Sequence, residues 1–311
     1  MITLVQYQTA DKQLWDTFID SSKIDSFLFK RDFMEYHANR FVDHSFLVYR
    51  KEKIVALLPG NIKGNIFFSH QGLTYGGLIP SKKLSTHDVL SIFNELNKTL
   101  KDKGVDEVIY KPTPHIYHKY PSEEDLYALF RLKAIRIACN ITSTIFQNNK
   151  LKFSELRKRG IRKAKRNDVK VMEITDFLDF WNILTHNLSE NHGTTPVHSL
   201  SEIVLLSSKF PNKIKLFGAF FKSRLIGGTV IFIMNSIVHV QYIAADIEGK
   251  ELGALDLIFD KLINEIYIDI PVFDFGQSTE KDGLLLNDGL IFQKEGFGGR
   301  GVIYETYKYI L

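Results

Sequence analysis

Apolar and polar positions alternate over residues 2–7 and predict a strand, after which "DKQLWDTFIDSS" and "FKRDFMEYHANRF" take up helical spacing. The stretch "HSFLVYRKEKIVALLPGNIKGNIFFSHQGLTYGGLIP" reads as a meander of strands with a charged turn at Arg50–Lys53. A helix is predicted over "HDVLSIFNELNKTLKDKG", capped by Ser85 or Thr86 and stopped by Gly104. "DEVIYKP" is the next strand, and Pro112 and Pro114 end its pairing and open a loop rich in His and Tyr.

The second half repeats that order. A basic helix precedes a strand around Val169–Glu173, then the helices "TDFLDFWNILTHNL" and "SLSEIVLLSSKF". "KIKLFGAFF", "RLIGGTVIFIM" and "SIVHVQYIAAD" form a second meander, and the helix "ALDLIFDKLINEIYI" leads into the strand "VFDFG". The repeat is one of pattern and not of residue identity. It predicts an α/β (α+β) chain of two similar units, each a mixed, mostly antiparallel sheet flanked by helices. The expected boundaries are 1–150, a connecting helix at 151–168, and 169–311.

Composition narrows the partners. Of 311 residues 44% are hydrophobic, enough for two cores, and the net charge of +4 makes attraction to anions a local matter. The lone Cys139 excludes an intramolecular disulfide, and no Cys/His spacing suggests a metal site. No signal peptide is read at "MITLVQYQTADKQLW", and the apolar runs are too short to span a bilayer, so a cytoplasmic location is expected. Local charge gathers in "LKFSELRKRGIRKAKRNDVK", where Lys152, Arg157, Lys158, Arg159, Arg162, Lys163, Lys165 and Arg166 leave Leu156, Ile161 and Ala164 as a thin apolar strip. That segment is either a solvated connector or a contact for a phosphorylated ligand, with Arg162 and Lys163 as candidate anchors.

The succession of strand, two helices, three-stranded meander, helix and strand is similar to the GNAT acyltransferase fold. The ending "DFGQSTEKDGLLLNDGLIFQKEGFGGRGV", preceded by "RKRGIRKAKR", resembles the Fem-type and BioF2-like branch of that superfamily. The pieces that carry the likeness are Asp274-Phe275-Gly276 and Phe292-Gln293-Lys294 before Phe297-Gly298-Gly299, and they lie within roughly residues 155–305. The resemblance implies paired GNAT-like units that transfer an acyl or aminoacyl group to an amine. It implies acyl-CoA, acetyl-CoA first, as co-substrate, with no metal, and its pyrophosphate in the loop Gly249, Lys250, Gly253 and Ala254. The loop fits the family pattern only in part, because Lys250 stands one residue away from the usual Arg or Gln. Glycines before a helix nevertheless allow backbone N–H groups to approach an anion.

Acyl transfer needs a neutral amine, a polarised carbonyl and a reprotonated leaving group. No nucleophile elbow or Ser-His-Asp order is present, which favours direct attack. His239 and Gln241 are expected on one face of their strand and Tyr242 on the other. His239, Glu280 and Lys294 are the candidate catalytic residues, and Glu280 and Ser278 are expected at a cleft beyond "VFDFG". Glu280 and Lys294 lie on no apolar periodic face, so both are expected to be exposed and their replacement to leave stability nearly unchanged. Candidate acceptor contacts are His70 and Tyr75 of "SHQGLTYGG", Lys111 and His115 of "KPTPHIYHKYP", Arg162, Lys163, Tyr242 and Ser278. "ENHGTTPVHS", with His192 and His198, is a further polar rim. The leading expectation is acyl transfer from acyl-CoA to an amine of a sugar, nucleotide-sugar or envelope precursor. The alternatives are aminoacyl transfer from tRNA to a peptidoglycan precursor, and an inactive GNAT-like module that binds nucleic acid through residues 152–166. The chain lacks the long helical hairpin that some Fem-type enzymes set beside tRNA.

Overall fold

The computed structural model describes the backbone of residues 1–311 and all side chains except those of residues 191 and 192, so the side chain of His192 lies outside the described residues. Contacts divide the chain into two compact units. Unit 1 is Met1–Ile141 with Thr279–Leu285 and Ile303–Leu311, and unit 2 is Thr142–Ser278 with Leu286–Val302. The chain therefore returns to unit 1 twice after leaving it.

Unit 1 runs β1 (Ile2–Gln6), α1 (Lys12–Ser21), α2 (Arg31–Met34), β2 (Phe46–Arg50), β3 (Lys53–Leu58), β4 (Asn61–Lys63), β5 (Ile66–Phe68), β6 (Ile79–Pro80), α3 (Thr86–Asp102), β7 (Glu107–Tyr110) and α4 (Glu124–Arg131). One sheet has the order β1-β2-β3-β6. Elsewhere β4 and β5 pair antiparallel, while β5 and β7 are parallel, with α3 lying between them in the chain. Helix α3 forms where expected. Ser85 and Asp88 close a capping box, Val89, Ile92, Phe93, Leu96 and Leu100 face the core, and Gly104 at φ +75° follows its end. The helix expected over "FKRDFMEYHANRF" is instead the single turn α2 followed by a 3₁₀ turn over Glu35–His37, with Arg31, Phe33, Met34 and His37 buried and Asp32 and Glu35 partly exposed.

After β8 (Ile135–Phe146), unit 2 continues through α5 (Glu155–Arg166), β9 (Lys170–Ile174), α6 (Leu178–His192), α7 (Leu200–Lys209), β10 (Ile214–Phe221), β11 (Arg224–Ile233), β12 (Ile237–Ala245), α8 (Ile247–Leu252), α9 (Ala254–Lys261) and β13 (Val272–Gln277). The chain ends with β14 (Thr279–Glu280), β15 (Leu285–Leu286), α10 (Asp288–Gly296) and β16 (Arg300–Ile310). The strand order β8-β13-β12-β11-β10-β9 is antiparallel except for β12 and β13, which are parallel and flank α9 in the chain. Leu257, Ile258 and Phe259 of α9 pack with Val238, Val240, Phe273 and Phe275 into one buried cluster, which Phe297 completes. Unit 2 thus carries a mixed, mostly antiparallel sheet flanked by helices, and unit 1 divides its mostly antiparallel strands between two sheets.

One register detail corrects the sequence reading. Between β11 and β12 the partners step from Val230↔Tyr242 to Ile231↔Val240, so Gln241 is an inserted bulge residue. The bulge restores Tyr242 to the face of His239, away from the Val238 and Val240 core, where its ring meets Trp181 edge-on at 5.2 Å. The strict alternation assumed for 239, 241 and 242 fails because a bulge shifts side-chain phase by one.

Candidate active site

Strands β12 and β13 pair through Ile237↔Val272, Val238↔Phe273 and His239↔Asp274, and their ladder ends there although both strands run on. A parallel pair that parts in this way leaves a fork with backbone polar groups along its inner edges. His239 and Asp274 stand at the crotch of the fork.

Asp274 is 0% exposed in a strand whose neighbours Phe273 and Phe275 face the core. A buried carboxylate needs donors, and it has them. Thr142 Oγ1 donates at 2.5 Å and Thr144 Oγ1 at 3.1 Å to Oδ1, which also receives the Gly276 N–H at 3.3 Å. Oδ2 lies 2.8 Å from His239 Nδ1. A carboxylate accepts, so Nδ1 carries the hydrogen and Nε2 is the basic nitrogen. Gly276 has φ +71°, and a Cβ there would stand 3.3 Å from His239 Cε1 and 3.1 Å from the Val240 carbonyl oxygen. The positive φ favours glycine here, and a Cβ would crowd the Val240 carbonyl and the imidazole.

Lys294 comes to the same corner from α10. Its ammonium donates to Gly276 O at 2.9 Å, Gln277 O at 2.7 Å and Ser278 Oγ at 2.9 Å. Burial pushes its pKa down to about 8, against the opposing pull of Asp274. At 3% exposure it is not the surface residue that its polar neighbours suggest. Asn287 caps α10 and donates its N–H to Ser278 O at 2.9 Å, which ties down both ends of the 279–286 excursion.

Of the candidate residues, His239, Lys294 and Ser278 therefore meet, and Asp274, Thr142 and Thr144 complete the cluster. Glu280 does not join it: it is exposed on β14 and belongs to unit 1. Tyr242 is buried, with its hydroxyl 2.6 Å from His198 Nδ1 and its pKa raised to about 12 by burial. The threonines carried a faint signal, since Thr142 and Thr144 alternate in "NITSTIF" as one face of a strand does.

The expected phosphate loop has other tasks. A Cβ on Gly249 would fall 2.0 Å from Ile226 O, so this glycine seats α8 on β11. Gly253, at φ +76°, backs onto α5, where a Cβ would stand 2.6 Å from Gly160 O. Gly160 in turn leaves room for Asp256, which accepts from Arg157 Nη1 at 2.7 Å. Ala254 is fully buried and Lys250 is exposed. The N-terminus of α9 is therefore covered by α5, and the open glycine cradle expected from the sequence is corrected to a helix–helix contact.

The outer face of α5 is basic. Arg162 and Lys163 are exposed, Leu156 joins them at the surface, and Ile161 and Ala164 alone of the apolar strip are buried. A cavity of about 500 Å³ beside α5 is lined by Lys150, Lys152, Lys158, Arg162 and Lys165 over Phe153 and Ile161, with Asp260 and Asn264 on the same wall, where Lys165 pairs with Asp260 at 3.1 Å and Lys150 donates to Asn264 at 2.7 Å. In unit 1, Tyr75 is buried with its hydroxyl 2.9 Å from Ser26 Oγ, and His115 is exposed. Lys111 turns its ammonium onto Leu73 O, with its pKa pushed down to about 8 by burial. His70 is buried beside His37. Among the described residues no group of three or more His, Cys, Asp or Glu is placed to hold a metal ion, and no helix is long and apolar enough to cross a membrane.

No protein-family model matches the sequence, and no curated protein matches it. Solved structures do. FemX matches with a TM-score of 0.71 at 12% identity, over 99% of this chain and 97% of that one. L-PGS from Bacillus licheniformis matches with a TM-score of 0.60 at 11% identity, over 98% and 92%. A tandem GNAT protein from the clavulanic acid biosynthesis pathway matches with a TM-score of 0.54 at 8% identity, over 100% and 98%. At these identities the shared property is the fold: the chain is a GNAT-like, Fem-type fold of tandem units.

Proposed function

We propose that a chain of this fold transfers an acyl group to an amine in unit 2, with His239 as general base. The observation that carries the reading is the fork between β12 and β13 with the His239–Asp274 pair at its crotch. The amine nitrogen attacks the acyl carbonyl and gives its proton to Nε2. The bond to the leaving oxygen or sulfur then breaks, and the imidazolium returns that proton to the departing atom. Asp274, fixed by Thr142 and Thr144, keeps the tautomer and stabilises the imidazolium. Lys294 holds the Gly276–Ser278 corner and sets a positive charge at the end of β13, where it offsets charge developing on the acyl oxygen.

The covered N-terminus of α9 favours an oxygen ester over a CoA thioester, because Gly160 and Arg157 already occupy the place a pyrophosphate needs. The basic cavity beside α5 supplies cations for a ribose-phosphate end, as an aminoacyl-tRNA carries. The acceptor is read as an amine of an envelope precursor or amino sugar. A second reading, a CoA thioester donor, is supported by the likeness to a tandem GNAT protein described without AcCoA. Labelled aminoacyl-tRNA and labelled acetyl-CoA, each offered with a panel of amino sugars and lysine-containing muramyl peptides, separate the two. Transfer from the tRNA, lost in His239→Gln, is expected. Transfer from acetyl-CoA alone overturns the donor, and transfer from neither overturns the reaction.

A further inference from the structure

A cavity of about 260 Å³ lies within unit 1, remote in sequence from the His239 cluster and lined in part by Arg31, Glu35, His37, Asp43, Phe41 and His70. Most of its polar groups are paired within the protein, and two buried atoms, Arg31 Nη1 and His70 Nδ1, are not. Arg31, 2% exposed, donates Nε to Glu35 at 2.9 Å and Nη2 to Asp43, and its guanidinium lies 3.7 Å over the Tyr7 ring. Its Nη1 is buried and has no hydrogen-bond partner, and the same holds for Nδ1 of His70, which is 3% exposed. Leaving a buried donor unpaired is unfavourable, so two such atoms on one cavity wall point to a missing partner.

The wall is also built under constraint. His70 has φ +70°, a left-handed conformation uncommon for a residue with a side chain. Four neighbouring contacts hold it there. Asn61 exchanges two 2.8 Å hydrogen bonds with Gln71, His37 Nε2 meets Gly72 O at 3.1 Å, and Lys111 Nζ donates to Leu73 O. Burial, with His37 adding to it, lowers the His70 pKa to about 3, so the ring is neutral near pH 7 and offers a nitrogen without a charge.

Charge decides the class of ligand. On the lining one guanidinium faces two carboxylates, and the Lys111 ammonium acts on His70 from behind the wall, so the surroundings carry little net charge and suit a zwitterion better than a phosphate. The unpaired Arg31 Nη1 asks for an acceptor as well. A 260 Å³ cavity has room for roughly nine waters at about 30 Å³ each, which suits a small molecule and not a nucleotide.

We propose that this cavity binds the head of an α-amino acid, its ammonium set against Glu35 and Asp43 and its carboxylate or carbonyl oxygen on Arg31 Nη1, with His70 as a neutral hydrogen-bonding wall. The site is independent of the proposed transfer chemistry. The test is calorimetric titration of the full chain with L-alanine, L-serine and L-lysine, with ethylamine and propionate as half-ligands, and with the dipeptide Ala-Ala. At least one amino acid or Ala-Ala is expected to bind, with each half-ligand weaker by about tenfold or more. Ala-Ala binding as well as L-alanine assigns the site to a peptide N-terminus; its failure assigns it to the free amino acid. In the folded variants Glu35→Gln and His70→Asn, the latter tolerant of left-handed φ, affinity should fall by about tenfold. The proposal is overturned if wild-type protein binds none of these zwitterions below about 10 mM, if the half-ligands bind equally well, or if both folded variants bind unchanged.

Discussion

Replacing Lys294 by Met should destabilise unit 2, and do so more at high pH than at neutral pH. Methionine keeps the packed stem but removes three donors, leaving Gly276 O and Ser278 Oγ buried without their partner. Each hydrogen bond from a charged group is worth about 1.5–3 kcal/mol, a gross loss of roughly 5 kcal/mol at the low end. Against this, burial lowers the lysine from 10.5 to about 8, so at pH 7 the folded state carries a charge disfavoured by about 3 kcal/mol, which the substitution relieves. The net loss at pH 7 is therefore about 2 kcal/mol, a fall in Tm of about 4–8 °C. Between pH 8 and 10.5 the unfolded lysine binds more protons than the folded one, so wild-type stability gains with rising pH while the Met variant does not follow. The gap should widen by up to about 3 kcal/mol by pH 10. Urea unfolding of both proteins at pH 7 and pH 10, followed by the fluorescence of Trp181 in unit 2 and Trp15 in unit 1, measures it. A gap that stays below about 0.5 kcal/mol at both pH values, or that narrows as pH rises, would refute the inward-facing ammonium.

Asp274→Asn should preserve the fold of β13 but present the wrong hydrogen-bonding group to His239 Nδ1, lowering transfer by about 10²–10⁴-fold in steady-state assays. Gly253→Val should fail structurally, because a Cβ meets Gly160 O at 2.6 Å at a φ of +76°; circular dichroism should show a lowered Tm whether or not a donor is present. Reversing Arg162 and Lys163 to Glu should leave Tm nearly unchanged and weaken tRNA binding in a filter assay, with a shallower dependence on salt. An unchanged salt slope in that double variant would make α5 a connector only.

Much of the framework was legible in the sequence because it rests on local periodicity. The Ser85 cap, the stop at Gly104, the two meanders and the strand "VFDFG" all stand where the pattern puts them. The site was legible only in part, since its decisive contacts are long-range. Asp274 meets His239 35 residues away and Thr142 132 residues away, and no local pattern announces either partner. Lys294 sits between Gln293 and Glu295 in a stretch without a marked apolar stripe, so its burial follows from where α10 docks and not from its neighbours. Gly253 was recognised as special, but a positive φ and a close backbone approach serve a helix contact as well as an anion, and only Gly160 decides between them.

Both units contain a parallel strand pair of the same kind, and the two pairs end differently. In unit 1 the parallel strands β5 and β7 pair through Ile66↔Glu107, Phe67↔Val108 and Phe68↔Ile109, the counterpart of the β12–β13 ladder. There the chain after β5 bonds straight back to β7: Ser69 donates its N–H to Ile109 O at 2.9 Å, and Ser69 Oγ accepts the Lys111 N–H at 2.8 Å. Gly76 then donates to Lys111 O at 2.9 Å, close against Ser69, where a Cβ would be 1.8 Å from its carbonyl oxygen. The unit 1 fork is thus filled by its own loop, and its lysine is spent on the Leu73 carbonyl. In unit 2 the strand that follows His239 instead bulges at Gln241 and runs on to Ala245 without rejoining β13, while Lys294 gathers the far corner. A bulge redirects a strand and exposes backbone groups at its edge. One framework thus occurs twice: in unit 1 the parallel ladder is continued by a returning loop, and in unit 2 it ends at a histidine held by a buried carboxylate, with Lys294 on the carbonyls beyond.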